Sequence, residues 1–244
     1  MKRYMFVLSI ILFLLQAFPA LAAQRTFVST SGADTNSCTL ASPCRTIQGA
    51  LANTNAKGEV VILKSGAYGT FKIKKAVSII APSGVFAGID ATTGNAISVS
   101  VGTSDTVVLQ GLTIKGNGGT NGIDFVEGGN LYVRDCSISG FAGNGIQASN
   151  GNLFVIDTTL KTNVAGLSAA GTSDITIENC IITNNGTGVS ASSSATIRIS
   201  NATVVYNTTG LSQADSSSLN SWGNNKVGGN TTDTNGIITS IPQM

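Results

Sequence analysis

The chain has 244 residues, of which only 11% are charged, and its formal net charge is +2. Globular domains average about 25% charged residues, so this surface is built mainly from uncharged polar side chains. Histidine is absent, which excludes Ser-His-Asp and Cys-His catalysis and histidine-ligated metals. A sparsely charged chain also does not predict nucleic-acid binding, because that binding depends on clustered Lys and Arg.

Residues 1–22 have the layout of a secretory signal peptide. Two basic residues precede an apolar run from Phe6 to Leu15, and the small residues Ala20 and Ala22 lie before the expected cleavage point. The run is shorter than the ~20 residues of a membrane span, so we favour cleavage over a retained anchor helix. Cleavage leaves 14 − 2 = 12 basic residues against 12 acidic ones. We predict a secreted, periplasmic or extracellular protein with no membrane span after this removal.

Four segments repeat at a fixed period of 22 residues, beginning at Leu131, Leu153, Ile175 and Ile197. In each of them a second apolar residue follows two positions later, and an Asp or Asn follows two positions after that. Such alternation, with β-branched side chains and turn residues between, predicts short strands. Short strands that repeat in register bury their apolar faces only when the coils stack on one another.

We therefore predict an all-β, single-domain parallel β-helix with coils of about 22 residues. A leucine-rich repeat is the alternative at this period. Its signature places Asn three residues after the last strand leucine, whereas here the Asp or Asn follows after two. The remainder of each repeat is rich in Gly, Ser and Thr, which disfavours a helical return.

The two ends of the chain depart from the repeat. Near the start, Ile47, Ala50 and Leu51 share one face of a predicted short helix, which would close the open end of the core. Beyond the coils the period is lost. The chain after the leader then divides into an N-terminal cap (23–59), the β-helix coils (60–218) and a C-terminal cap (219–244).

Several segments resemble those of known β-helix proteins. The chain after the leader is similar to a family of exported bacterial right-handed parallel β-helix proteins with the pectin-lyase-like superfold. The resemblance implies right-handed coils, and it says little about activity because this superfold carries lyases, hydrolases, epimerases, adhesins and phage spikes. The segments that carry it are Thr26–Ser29, Thr46–Gly69, Val77–Pro82 and Ser221–Lys226, together with the cysteine pair at 38 and 44.

The four cysteines divide into two pairs. Cys38 and Cys44 lie six residues apart in a loop of an exported chain, and we predict a disulfide between them. Cys136 and Cys180 occupy the same position two coils apart, which separates their Cα atoms by about 9.6 Å, beyond the ~7 Å reach of a disulfide. We expect both to be buried and reduced, with no metal bound.

A column of Asp135, Asp157, Asn179 and Asn201 follows the same period. We interpret these residues as tight-turn positions, since Asp and Asn tolerate turn backbone and bond local N–H groups. A cation that bridges the two adjacent aspartates is a secondary hypothesis. We predict no cofactor, because calcium is possible at this column but the sequence does not support it.

A catalytic site on this superfold, as the resemblance implies, lies along the exterior of one strand column with carboxylates, calcium and a basic residue. Alternation turns one residue per coil outward along such a column: Asp124, Gln147, Ser168, Ser190 and Ser212. Glycoside hydrolysis needs two carboxylates, and β-elimination needs a base with a cation or basic group. The candidates for a minimal acidic site are Asp124, Glu127 and Asp90, with Lys115 as the basic partner.

A second exterior strip carries the candidate binding residues. Tyr132, Phe154 and Ile156 predict an apolar–aromatic patch that stacks on sugar rings or contacts a partner, unless a loop covers it. Arg134 and Arg198 lie on the same strip.

Two functional classes follow from these patterns. We favour a non-enzymatic exported β-helix with a structural, adhesion or glycan-binding role in the cell envelope or outside the cell. Its partner would be a polysaccharide or an envelope protein. The alternative is a carbohydrate-active enzyme, namely a polysaccharide lyase, hydrolase or epimerase, with its site in the early coils. The oligomeric state is left open.

Overall fold

Each coil of the chain supplies one strand to each of three sheets, and the sheets surround a continuous apolar interior. The computed structural model describes residues 23–242. Its first elements are β1 (Ala23–Val28), α1 (Ile47–Asn53), β2 (Thr54–Ile62), β3 (Gly66–Ala67), β4 (Phe71–Ile73), β5 (Val77–Ile80), β6 (Ala87–Ala91), β7 (Ile97–Ser100), β8 (Thr106–Gln110), β9 (Leu112–Gly116), β10 (Ile123–Glu127), β11 (Asn130–Arg134), β12 (Ser137–Ser139) and β13 (Asn144–Ala148). They continue with β14 (Asn152–Ile156), β15 (Thr159–Lys161), β16 (Ala165–Ala169), β17 (Asp174–Glu178), β18 (Ile181–Thr183), β19 (Thr187–Ala191), β20 (Thr196–Ser200), β21 (Thr203–Val205), β22 (Thr209–Gln213), β23 (Ser218–Trp222), β24 (Lys226–Val227), β25 (Thr232–Asn235) and β26 (Ile238–Ile241).

The three sheets are parallel and run the length of the molecule. Sheet A has ten strands, in the order β1-β2-β5-β8-β11-β14-β17-β20-β23-β26. Sheet B has eight, in the order β3-β6-β9-β12-β15-β18-β21-β24, and sheet C has eight, in the order β4-β7-β10-β13-β16-β19-β22-β25. Each strand pairs with the equivalent strand of the next coil, so the predicted parallel β-helix is confirmed.

The interior consists of the apolar residues that define the repeat. Leu131, Leu153, Ile175 and Ile197 are direct neighbours across sheet A and are fully buried. Strand alternation turns one face of each short strand inward, and the parallel register stacks like residues on like residues. This stacking buries the apolar residues that no single coil can shield from water.

A short helix covers the N-terminal end of the core, as predicted. Helix α1 begins after Thr46, whose side-chain oxygen accepts a hydrogen bond from the N–H of Gly49 at 2.9 Å. This is an ordinary N-cap, which satisfies a backbone donor that the first helical turn leaves free. Ile47, Ala50 and Leu51 form its buried face.

Residues 23–59, which we predict as the N-terminal cap, contribute strands as well as a cap. Strand β1 pairs with β2 at the edge of sheet A, with Phe27 opposite Val61. The predicted disulfide joins Cys38 and Cys44, whose Cα atoms lie 4.6 Å apart, and both residues are buried. The disulfide therefore packs into the core, while residues 39–42 of the loop that it closes are exposed.

The coils continue past residue 218, where we expect a cap. Strands β23, β24 and β25 pair with β20, β21 and β22, and β26 pairs with β23. Residues 219–242 thus form a further coil. Its period is hidden in the sequence because Asn230 follows its equivalent, Asn207, by 23 positions instead of 22. Residues 243–244 lie outside the described part of the chain.

A buried ladder of asparagines runs along the interior where the chain passes from sheet B to sheet C. Asn185 accepts hydrogen bonds at Oδ1 from the N–H and the amide of Asn163 (3.0 and 3.2 Å). Its own amide donates to Leu160 O at 3.1 Å and to Asn207 Oδ1 at 3.0 Å. Asn207 repeats the pattern with Asn230. The sequence does not predict this ladder, because Asn in a Gly- and Thr-rich stretch is typical of an exposed loop.

The corner between sheets A and B carries the predicted column of turn residues. Asp135, Asp157, Asn179 and Asn201 all have left-handed backbone, with φ between 49° and 52°. Asn and Asp adopt this conformation more readily than other non-glycine residues. Asn179 donates to Asp157, and Asn201 donates to Asn179 at 3.3 Å, so the side chains also link successive coils.

Within residues 23–242, no helix is long and apolar enough to cross a membrane. The predicted signal peptide at 1–22 lies outside the described residues.

Candidate functional site

The exterior of sheet C carries one continuous row of polar side chains. The register of the strands places these residues side by side from coil to coil, and we call them the Lys72 row: Lys72, Ser98, Asp124, Gln147, Ser168, Ser190, Ser212 and Asn235. The five predicted outward residues are neighbours in this row, as the alternation indicated. The row also extends to Ser98 and Lys72, which the sequence analysis did not connect with Asp124.

A groove lies beside the start of this row, between helix α1 and strand β4. A cleft of about 470 Å³ is lined by Gln48, Leu51, Ala52, Lys72, Lys74 and Lys75. It shares Gln48 and Lys72 with a cleft of about 250 Å³ that reaches Asn95 and Ser98. We call the residues Gln48, Lys72, Lys74, Asn95 and Ser98 the Lys72 groove.

Helix α1 is tied to strand β4 at this groove. The N–H of Lys72 donates to Gln48 Oε1 at 2.9 Å. Lys75 Nζ donates to Leu51 O at 2.7 Å and to Thr54 O, which are carbonyls at the end of the helix. A cation is stabilised there by the negative end of the helix backbone. The floor of the groove is therefore fixed by side chains of two elements.

Two lysines of the groove point into solvent. Lys72 on β4 and Lys74 directly after it are exposed, whereas Phe71 and Ile73 are buried. Within residues 23–242 the ion pairs are Arg25–Glu59 and Arg198–Asp174, so neither lysine is paired with an acid in that part of the chain. The groove therefore presents positive charge to solvent.

A network of amides continues from the groove along the entrance to sheet C. Asn95 Nδ2 donates to Asp124 Oδ2 at 2.7 Å, and Asn95 Oδ1 accepts from Asn121 Nδ2 at 3.1 Å. Asn121 Oδ1 in turn accepts from the N–H of Asn144 at 2.9 Å. Partial burial raises the pKa of the Asp124 carboxyl above its ordinary value. Asp124 thus holds its proton to a higher pH than an exposed aspartate.

The candidate acidic site of the early coils does not form one cluster. Asp90 and Lys115 are neighbours on the exterior of sheet B. Asp124 and Glu127 lie on strand β10 of sheet C, around the corner from them, and Glu127 accepts a hydrogen bond from Ser100 at 3.0 Å. Asp90 lies on strand β6 of sheet B and the other two carboxylates lie on strand β10 of sheet C, so the three do not converge.

The candidate binding residues lie together on the exterior of sheet A. Tyr132 and Phe154 stack with ring centroids 4.6 Å apart and planes at 10°, and the guanidinium carbon of Arg134 lies 4.9 Å from the Tyr132 centroid. One face of each ring is therefore covered by the other ring, and both side chains are half-buried. Ile156 is half-buried beside them, and Arg198 is engaged with Asp174.

Cys136 and Cys180 are buried and free, as predicted. Burial raises the pKa of the Cys136 thiol to about 12 and that of Cys180 to about 11. Across residues 23–242, no group of three or more His, Cys, Asp or Glu is arranged to hold a metal ion.

Three parallel sheets, stacked coils and a capped first end define the class of right-handed parallel β-helices. A family model described as "Right handed beta helix region" matches residues 81–232, and the chain belongs to that family. Among solved structures the chain is similar to pectate lyase Pel9A, with a TM-score of 0.58 and 12% identity over 90% of this chain and 78% of that one. At that identity the likeness shows the fold alone. No curated protein matches the sequence.

Proposed function

We propose that the protein binds an acidic polysaccharide, which enters the Lys72 groove and continues along the Lys72 row of sheet C. The observation that carries this proposal is the pair of lysines, Lys72 and Lys74, exposed in a groove that two elements hold in shape. A fixed cationic site beside uncharged polar groups is suited to a chain of sugar acids.

The remaining residues of the site fit sugar hydroxyls. The groove contains the amides of Gln48 and Asn95 and the hydroxyl of Ser98. Each of these groups can donate as well as accept hydrogen bonds. Asp124, two strands from Lys72, adds an acceptor. Because the coils are about 4.8 Å apart, a chain laid along the axis meets a polar side chain at every coil of the row.

Two further facts support a polysaccharide outside the cytoplasm. A solved structure with a similar fold is a pectate lyase, and pectate is an acidic polysaccharide. The disulfide between Cys38 and Cys44 is typical of an oxidising compartment, in agreement with the predicted signal peptide. In this proposal the protein is exported and acts by binding.

The proposal is tested by removing the two lysines. We expect Lys72→Ala/Lys74→Ala to weaken binding of polygalacturonate at least tenfold by affinity electrophoresis or calorimetry, because two charges facing the ligand are lost. Lys161→Ala, which removes an exposed lysine from sheet B, is the matched control and should bind as the wild type does. Equal binding by the double variant and the control would refute the proposal.

Asp124 supports a second candidate function, cleavage of the bound chain. A half-buried carboxyl with a raised pKa next to a ligand groove is suited to acid–base chemistry. The same polysaccharide, incubated with the protein and analysed by mass spectrometry, distinguishes the two functions. New oligosaccharides that disappear with Asp124→Asn indicate an enzyme, whereas an intact polymer that stays bound indicates a binding protein.

A further inference from the structure

The exterior of sheet A carries a second row of side chains, formed by the outward residues of nine successive strands from β2 to β26. We call it the Ile156 row, and in order it consists of Val61, Ile80, Gln110, Arg134, Ile156, Glu178, Ser200, Trp222 and Ile241. The pairing of Ile199 with Ser221 places Ser200 beside Trp222.

The chemistry of this row is symmetric about Ile156. Its two ends are apolar, with Val61 and Ile80 on one side and Trp222 and Ile241 on the other. The next positions inward, at 110 and 200, are both polar and uncharged.

The positions next to Ile156 carry opposite charges. Arg134 precedes it by one coil and Glu178 follows it by one coil, and both are exposed. Neither belongs to an ion pair within residues 23–242, where Arg25–Glu59 and Arg198–Asp174 are the pairs. The two charges are separated by the intervening coil, and the Arg134 guanidinium, which lies over the Tyr132 ring, remains exposed to a partner.

We propose that this face binds a second copy of the same chain, face to face. The two copies are related by a two-fold axis that is parallel to the strands and lies between the two faces, directly over Ile156. The axis reverses the order of the coils in the partner. Ile156 then meets the partner's Ile156, and Arg134 meets the partner's Glu178 at two equivalent places. The apolar ends of the row meet each other as well. An interface of this kind is self-complementary, as two-fold dimers require.

The neighbouring exterior row of sheet A, which contains Phe154, is compatible with the same two-fold rotation. Phe154 lies beside Ile156 in strand β14 and meets the partner's Phe154, so the exposed edges of the Tyr132–Phe154 stack become buried. Tyr132 meets the partner's Thr176, since the two lie one coil either side of Phe154. No pair of like charges is created by these contacts.

The size of the face is suitable for a dimer. Nine strands about 4.8 Å apart span about 38 Å, and strands of five residues are about 16 Å wide. The face therefore covers roughly 600 Å² per partner, or about 1,200 Å² in total, which is the lower end of the range for stable interfaces. The Lys72 groove lies on sheet C, which stays open in this arrangement, so the dimer is independent of the proposed function.

Charge reversal tests the dimer through sedimentation velocity of the purified protein. The wild type should sediment as a dimer. Arg134→Glu alone, or Glu178→Arg alone, places like charges at both contacts and should raise the dissociation constant at least tenfold. The double variant Arg134→Glu/Glu178→Arg restores opposite charges and should restore the dimer. A monomeric wild type, or a folded double variant that stays monomeric, would overturn the proposal.

Cross-linking tests the position of the axis. Packed sheets lie about 10 Å apart, beyond the reach of a disulfide, so a short bismaleimide is the suitable reagent. Ile156→Cys should give covalent dimers, because the residue on the axis faces its own equivalent. Ser190→Cys, exterior on sheet C, is the matched control. Equal cross-linking of the two variants would rule out the axis at Ile156.

Discussion

Two columns of asparagine and aspartate run along the same coils, one inside the molecule and one outside. The interior column of Asn163, Asn185 and Asn207 is between 3% and 6% exposed, and its amides bond to backbone and to each other. The exterior column at the corner of sheets A and B is exposed and has left-handed backbone. Inside, the residue is required for its hydrogen bonds; outside, it is required for its backbone conformation.

This difference determines how much a substitution costs. A buried polar group without a partner costs about 1–3 kcal/mol, and removing one interior amide leaves several partners unsatisfied. An exposed side chain that loses its partner bonds to water instead. Residue type and spacing are shared by the two columns, so burial is the deciding variable.

The largest effect is expected for Asn185→Ala. The substitution leaves the N–H of Asn163 and the carbonyl of Leu160 without their partners in the interior, and we expect a loss of about 3 kcal/mol of unfolding free energy. Chemical denaturation followed by circular dichroism measures it. Asn184→Gly, the exposed neighbour with φ 56°, is the control and should change stability little. A loss at Asn185 no greater than at Asn184 would contradict the interior role.

A second effect is expected at alkaline pH from the buried thiols. The folded pKa values of about 12 for Cys136 and about 11 for Cys180 lie above the ordinary value of 9.0, because burial disfavours the thiolate. Their stabilisation is therefore complete below pH 9 and is lost as pH rises through the folded values, by about 1.4 kcal/mol per pH unit for each thiol.

Cys136→Ala/Cys180→Ala should flatten this dependence when unfolding free energy is measured below and above pH 9. The quantity to compare is the slope of unfolding free energy against pH, because the substitutions also remove buried sulfur atoms and lower stability at every pH. An unchanged slope in the double variant would assign the alkaline sensitivity to other groups.

The smallest effect is expected in the exterior column. Asn179→Ala keeps the left-handed backbone at φ 52° but removes the polar side chain that makes this conformation tolerable. We expect it to cost about 1 kcal/mol of unfolding free energy. Asn179→Gly should recover most of this loss, because glycine adopts left-handed backbone freely. The same denaturation experiment measures both variants. If glycine is no better than alanine, the contact of Asn179 with Asp157 and not the backbone is the main contribution.

The fold was predictable because the regular coils repeat without gaps. The 22-residue period and the strand alternation are both visible in the sequence. They are marked by residues that are direct neighbours in the structure: Leu131, Leu153, Ile175 and Ile197. The last coil was not predictable, since one inserted residue before Asn230 breaks the period. The interior asparagines were missed because a buried polar ladder and an exposed loop have the same composition.

The Lys72 groove could not be predicted from the sequence, because it depends on how the strands of the early coils pair. Lys72, Ser98 and Asp124 follow one another at 26 residues and not at the 22 of the regular coils, yet the strands bring them side by side. The exterior position of Asp124 was predicted correctly, but its place in one row with Lys72 was not. Asp90 and Asp124, which we expected in one acidic site, lie on different sheets.

The proposed function depends on recognition of polysaccharide carboxylates by the Lys72 groove. Calorimetric titration of the wild-type protein with a galacturonate oligosaccharide, and with the same oligosaccharide methyl-esterified, tests this recognition. We expect at least tenfold tighter binding of the acid form, with a preference that weakens as salt is added. Equal affinity for the two forms, or no binding of either, would contradict it.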